Sequence, residues 1–226
     1  MIFKDLSPKT IEQLKKFSGL FFEKNQQLNL SGIRDKEGIW LRHIHDSLVL
    51  LETAFDLKPV RSVLDLGTGG GLPGIPLAIV FPDKQFTLVD ATGKKIAAVS
   101  EFIKQLGLKN AVAIQGRAEV IAHSQKFREK FDLVVARAVA EFNILSEYAL
   151  PLVKPGGYFI AYKARKAERE LAQAKKAIQL LGGIAEDVIA LNVPELGHRS
   201  FVVIQKKKTT PAFYPRHDGK IRKNPL

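Results

Sequence analysis

The chain of 226 residues contains no cysteine, which excludes disulfides, thiolate metal sites and cysteine nucleophiles. It has no uninterrupted apolar run near the ~18 residues that suggest a membrane span. Its opening residues, Met-Ile-Phe-Lys-Asp-Leu-Ser-Pro, lack a basic stretch followed by an apolar one. A cytoplasmic location without a membrane partner is therefore expected. No internal repeat is visible.

What is present is ordinary for a globular domain: 46% of residues are hydrophobic, and the length suits one main domain with a small appendage. The net charge of +12 is less ordinary in its placement. Residues 206–226 hold seven basic residues against one acid. Such a block suits a polyanionic partner, most simply nucleic acid, with a solvated solubility tail as the alternative. Phe213 and Tyr214, interleaved with the charges, favour a binding arm. Three prolines from Lys207 onward suggest an irregular segment that orders on its partner.

Ser7-Pro8 reads as a helix cap followed by a first-turn proline, and Ile11, Leu14, Phe17, Phe21 and Leu28 recur at helical steps. A second helix is expected from Asp35. On it His43 and Asp46, three apart, face one way and His45 another, so a hydrogen bond or an interdomain cap is favoured over a metal site.

From Arg61 the pattern changes. Short apolar strands are expected near 61–66, 85–90, 111–115, 131–136 and 157–163, with helices over Lys94–Leu106, Ala118–Phe127 and Glu141–Leu152. Regular alternation needs crossovers, hence a mainly parallel sheet with helices on both faces. A charged helix, Arg165–Leu181, then leads to strands over Ile184–Leu191 and Arg199–Lys206. The seven residues joining these last two cannot make a parallel crossover, so the final strand should run antiparallel.

The stretch from Arg61 to Asp90 carries the chemistry. A buried strand, the run Gly-Thr-Gly-Gly-Gly-Leu-Pro-Gly (67–74) and a second strand ending on Asp90 make half a nucleotide site. Glycines let backbone approach a ligand. Pro73 and Pro76 suit the first turn of a helix whose free N–H groups would face it. A phosphate loop is unlike this run, because no lysine follows until Lys84. A dinucleotide is compatible with Gly69–Gly74 and Asp90 but not with the antiparallel ending. S-adenosylmethionine fits better, with its adenosine toward Asp90 and its carboxylate toward the helix. Gln115–Glu119 would border the adenine. Arg137, after the fourth strand, would lie nearest the methyl group, unless it only pairs with a carboxylate such as Asp65 or Glu141.

These residues resemble a known family. Val63 through Ala78, preceded by Asn29-Leu30-Ser31 and Arg42 through Leu48 and followed by Arg137-Ala138, is similar to the bacterial ribosomal small-subunit methyltransferase G family, once called glucose-inhibited division protein B. The resemblance spans about Phe21 to the C-terminus. It implies an α/β fold of class I S-adenosylmethionine-dependent methyltransferase type, a Rossmann-like seven-stranded sheet with its last strand antiparallel, under an N-terminal helical cap. The division would be 1–58 for the cap, 59–206 for the methyltransferase domain and 207–226 for the basic tail.

It also implies methyl transfer to N7 of one guanine in 16S ribosomal RNA. The small ribosomal subunit or its precursor is the expected setting, and a monomer is expected because nothing in the sequence demands a partner subunit. Carried over by position, the cofactor residues are Gly67, Gly69 and Leu72, then Asp90, Ala91 and Thr92, then Ala118 and Glu119, then Arg137. Two departures stand out: Gly70-Gly71, where relatives often separate the glycines, and Tyr162-Lys163-Ala164, where Lys-Gly is common. The second leaves the role of Lys163 open.

The chemistry agrees independently. Pyrimidine C5 methylation generally needs a cysteine, and exocyclic amine methylation an Asn-Pro-Pro-Tyr-like segment where this chain has Ala-Arg-Ala-Val. Guanine N7 has no proton to remove, so no general base is required and none is assigned. The rivals are a methyltransferase of another substrate and a non-catalytic nucleotide-binding RNA module.

Overall fold

The computed structural model describes residues 2–163 and 167–226. Its strands are β1 Ser62–Leu66, β2 Gln85–Asp90, β3 Ala111–Gln115, β4 Phe131–Arg137, β5 Val153–Lys163, β6 Gly183–Val193 and β7 Gly197–Lys206. They form one seven-stranded sheet in the order β3-β2-β1-β4-β5-β7-β6. The strands β1 to β5 are parallel, and β7 enters antiparallel between β5 and β6. The chain order reverses beside β1, with β2 on one side and β4 on the other. That opens a crevice at the carboxyl ends of the central strands.

Alternate strand residues point to opposite faces, and each face builds its own core. One cluster takes Val63, Leu133, Val135, Ile160 and Phe201 from the sheet. It joins them to the long helix α1 (Pro8–Leu28) and to α4 (Gly74–Val80) and α5 (Gly93–Leu106). The other takes Leu64, Leu66, Val134, Phe159 and Val202 and packs them under α7 (Phe142–Ala149) and α8 (Ala167–Leu180). The N-terminal helices thus share a core with the sheet. Phe17 and Phe21 of α1 are fully buried and meet Phe102 of α5 at ring distances of 5.5 and 6.4 Å.

The Ser7 hydroxyl caps α1 by accepting from Thr10 N, as the Ser-Pro pair predicts, and Asp35 caps the next helix in the same way. Beyond that cap the helix is not uniform. α2 (Lys36–Ile39) passes into a π-helical stretch, Trp40–His45, before α3 (Asp46–Leu48) and a 3-10 turn, Val49–Glu52. A π turn takes an extra residue and rotates whatever follows it, so Asp46 is aimed differently from its place on a regular helix.

Three expectations need correction. The helix begun at Ala118 is α6 (Ala118–Ile121) and does not reach Phe127, because Arg128 donates back to Ala122 O and His123 bonds Pro215 O. β5 starts at Val153, four residues early. The tail is irregular over 207–217, as expected, but it needs no partner to order it. It lies on the second face and ends in α9 (Asp218–Lys223), with Ile221 fully buried in that core. Arg216 makes a two-pronged ion pair with the fully buried Glu147, and Arg128 donates to Thr210 O and Tyr214 O. The tail orders on the chain itself because its charges find internal partners. Ala164 and Arg165, the latter the expected start of the charged helix, lie outside the described residues.

Candidate active site

The loop after β1 is stitched in place by short hydrogen bonds. Gly67 has φ +72°, and a Cβ there would stand 2.6 Å from Val139 Cγ2, so glycine is required on both counts. Thr68 N donates to Val89 O at 2.9 Å, tying the loop to β2. Asp90 then grips both turns: Oδ2 accepts from Gly69 N at 3.0 Å and Oδ1 from Thr92 N at 2.8 Å. Each oxygen keeps a second lone pair for a ligand hydroxyl.

Asp65, fully buried on β1, receives Thr68 Oγ1 at 2.6 Å and Gly74 N at 2.8 Å on the same oxygen, and burial pushes its carboxyl up to about 6. The next donor, Ile75 N, goes to Gly71 O at 2.8 Å. The expectation that α4 offers free N–H groups to a ligand is therefore corrected: an internal carboxylate occupies its cap. Pro73 is the capping residue, one position ahead of the first turn.

Three cavities run side by side along the carboxyl ends of the strands. The first, about 170 Å³, lies between Gly67, Asp90, Ala91 and the Gly116–Glu119 loop. The second, about 350 Å³, lies against Gly67–Gly70 and Leu72 and is closed by Leu30, Ser31 and His43. Gly67, Asp90 and Val139 border both. The third, about 410 Å³, is walled by Asp46, Arg137, Tyr162, Lys163, Arg199 and Phe201, and meets the second at Arg137 and Ala138.

Arg137 does pair with a carboxylate, though with neither Asp65 nor Glu141. Its Nη1 donates to Asp46 Oδ2 at 2.8 Å, and Arg199 Nε donates to Asp46 Oδ1 at 2.5 Å. Two guanidiniums on one carboxylate leave the third cavity with a net positive wall. Beside it, His43 is held neutral: burial, then the charge of Arg137, lowers its pKa to about 4. Its Nδ1–H donates to Arg42 O at 2.9 Å and its Nε2 accepts from the Ser31 hydroxyl at 2.6 Å, the tautomer these partners require. His45 turns away to the ring of Phe3, 5.3 Å between centroids. Lys163 binds Glu170 Oε2 at 2.7 Å and Ala140 O at 3.0 Å, linking β5 to α8.

Of the residues the sequence singles out, Gly67, Gly69, Leu72, Asp90, Ala91, Ala118, Glu119 and Arg137 border these cavities. Thr92 borders none of the three and instead anchors Asp90 through its backbone. Sequence reasoning missed Ser31, Asp46 and Arg199 as wall residues, and Tyr148, Asp218 and Arg222 at the far side of the first cavity. Arg199 and Asp46 stand 153 residues apart, beyond any local pattern. Two cavities joined at a carboxylate suit a ligand with a ribose between two arms, which S-adenosylmethionine is.

Comparisons agree with this geometry. Residues 10–201 match the family model for rRNA small subunit methyltransferase G. A protein of that name from an Exiguobacterium species is 41% identical over 223 residues, 98% of this chain and 93% of its own. One from Lachnoclostridium phytofermentans is 43% identical over 223 residues, 98% and 92% of the two chains. Among solved structures, an O-methyltransferase from Bacillus cereus in complex with SAH is similar at TM-score 0.59 and 18% identity, covering 85% of this chain and 91% of that one. A 16S rRNA (adenine(1408)-N(1))-methyltransferase from Catenulisporales acidiphilia with SAM bound is similar at TM-score 0.54 and 15% identity, covering 67% and 87%. Fold, cavities and kinship converge: the chain belongs to the rRNA small subunit methyltransferase G family.

Proposed function

We propose that the protein methylates N7 of a guanine in 16S ribosomal RNA. S-adenosylmethionine would lie across the first two cavities, and the guanine would enter the third. As a family member the chain is an S-adenosylmethionine-dependent methyltransferase of small-subunit ribosomal RNA. The finer assignment rests on Arg137, which stands at the boundary between the cofactor and base cavities, held there by Asp46 and flanked by Arg199.

The bound cofactor supplies an electrophilic sulfonium methyl group. Asp90 takes the ribose hydroxyls, with Ala91, Ala118 and Glu119 toward the adenine and Gly67, Gly69 and Leu72 toward the amino-acid arm. In the third cavity the guanidiniums of Arg137 and Arg199 would hold guanine by its O6 acceptor, leaving the single lone pair of N7 free to face the methyl group. Adenine would turn an N6 amino donor toward the same charges. The groups nearby are already engaged: the lone pair of His43 accepts from Ser31, and each oxygen of Asp46 accepts from an arginine. That suits attack by an in-plane lone pair that carries no proton, where alignment and electrostatics supply the rate. The target base must be unstacked to enter, which favours a loop nucleotide in the small subunit or its precursor. The enzyme acts as a monomer in this reading.

The test is tritiated-methyl transfer to small-subunit particles from cells lacking the protein, followed by nucleoside identification. Label in 16S RNA as 7-methylguanosine is the expected outcome. An unlabelled 16S RNA, or a methyl group on another atom, rejects the proposal.

A further inference from the structure

The C-terminal residues do more than cover the sheet: they reach the first cavity. One side of that cavity is the β1–β2 crevice and the Gly116–Glu119 loop. The opposite side is Tyr148 of α7 with Asp218 and Arg222 of α9. Asp218 is the hub of this wall. It accepts from the Tyr148 hydroxyl and from Arg222 Nε at 2.9 Å, and its Oδ2 lies 3.8 Å from Arg117 Nη1. The same Arg117 nitrogen is 3.8 Å from Glu119 Oε1. A charge chain therefore runs from the tail helix to the loop after β3.

The tail is seated to hold this position. Its anchors are the buried Glu147 against Arg216, Ile221 in the core, and the carbonyls of Thr210 and Tyr214 on Arg128. Lys206, fully buried, bonds Leu150 O at 2.7 Å and Thr210 Oγ1 and so fixes where the tail departs from β7. A segment clamped at so many points and ending on a cavity belongs to that cavity's structure.

We propose that α9 is the outer wall of the adenine subsite, with Arg222 facing the adenine and Asp218 as the positioning residue that ties Arg222 to the Gly116–Glu119 loop through Arg117. The inference rests on placing S-adenosylmethionine in these cavities. It makes the basic tail a cofactor-binding element in addition to any contact with RNA. Arg222 brings a planar guanidinium able to stack on an aromatic face, and Asp218 keeps it in register with Arg117. Tail docking and cofactor binding are then linked, each favouring the other.

Equilibrium calorimetry of S-adenosylmethionine with the full chain tests this through three substitutions. Arg222→Ala and Asp218→Ala should each weaken binding by about tenfold, the loss of one charge-assisted contact, while Asp90→Ala should abolish it. Amide exchange over residues 218–223 in the unsubstituted protein should slow when the cofactor saturates it. Wild-type affinity in both tail variants with loss in Asp90→Ala, or exchange in α9 indifferent to the cofactor, overturns the inference alone. Wild-type affinity in all three overturns the placement of the cofactor itself. Variants that bind weakly because they have unfolded would show it in their exchange across the whole sheet.

Discussion

Arg137 and Asp46 form one ion pair, yet their substitutions should differ. Arg137→Ala leaves Asp46 still bonded to Arg199, so the loss of fold stability should be small, about 1 kcal/mol. Methyl transfer should fall by about 100-fold or more, because the proposed placement puts this group between cofactor and base. Asp46→Ala strands two facing guanidiniums in a partly buried wall and should cost about 3 kcal/mol of stability as well. Urea midpoints and single-turnover rates separate the two, and near-normal turnover in Arg137→Ala would remove its role. At this scale the sequence was only partly legible. Arg137 could be found because it ends a strand whose tip must face the ligand. Its partner could not, since Asp46 reaches it through a π turn that no helical periodicity encodes.

At the scale of elements, the first helix and the glycine loop shape each other. Phe21 of α1 is fully buried, and a Cβ on Gly70 would stand 2.5 Å from its ring. Gly70 thus makes room for an aromatic side chain 49 residues upstream, while Gly71 makes room for Ile75. Phe21→Ala should cost about 3–5 kcal/mol and Gly70→Ala about 1–3 kcal/mol. The double variant should cost less than the sum, by about 1 kcal/mol or more, because the alanine methyl enters space the ring has left. Denaturant unfolding of the four proteins checks this, and strict additivity would show that the two do not touch. The β-α alternation and the antiparallel ending were readable because strand and crossover lengths dictate them. The docking of the tail was not readable. Its charge density and prolines resemble those of a disordered arm, and nothing local reveals that Glu147 and Arg128 await it on the second face.

The stability of the whole molecule carries two opposed proton linkages. Asp65 titrates near 4 in an unfolded chain and at about 6 in the fold. It therefore adds stability below pH 4 that is lost as pH rises to 6. His43 titrates near 6.5 unfolded and at about 4 folded. It contributes stability above pH 6.5 that is lost as pH falls to 4. Their slopes cancel in large part between pH 4 and 6. Relative to the parent, Asp65→Asn should become progressively less stable as pH drops through that window, and His43→Gln progressively more stable. Urea midpoints at pH 4.5, 5.5 and 7 would show it, and parallel curves for all three proteins would reject both linkages.

The place of β7 between β5 and β6 bears on how the protein is made. β7 is synthesised after both of its neighbours, so β6 has no strand to join until residues 197–206 have left the ribosome. Until then β5 presents an open edge of unpaired backbone groups, the kind of surface on which nascent chains associate wrongly. Arg199, which walls the third cavity, arrives on the same strand. The step that closes the sheet therefore also completes the site, and a chain truncated before β7 would carry neither.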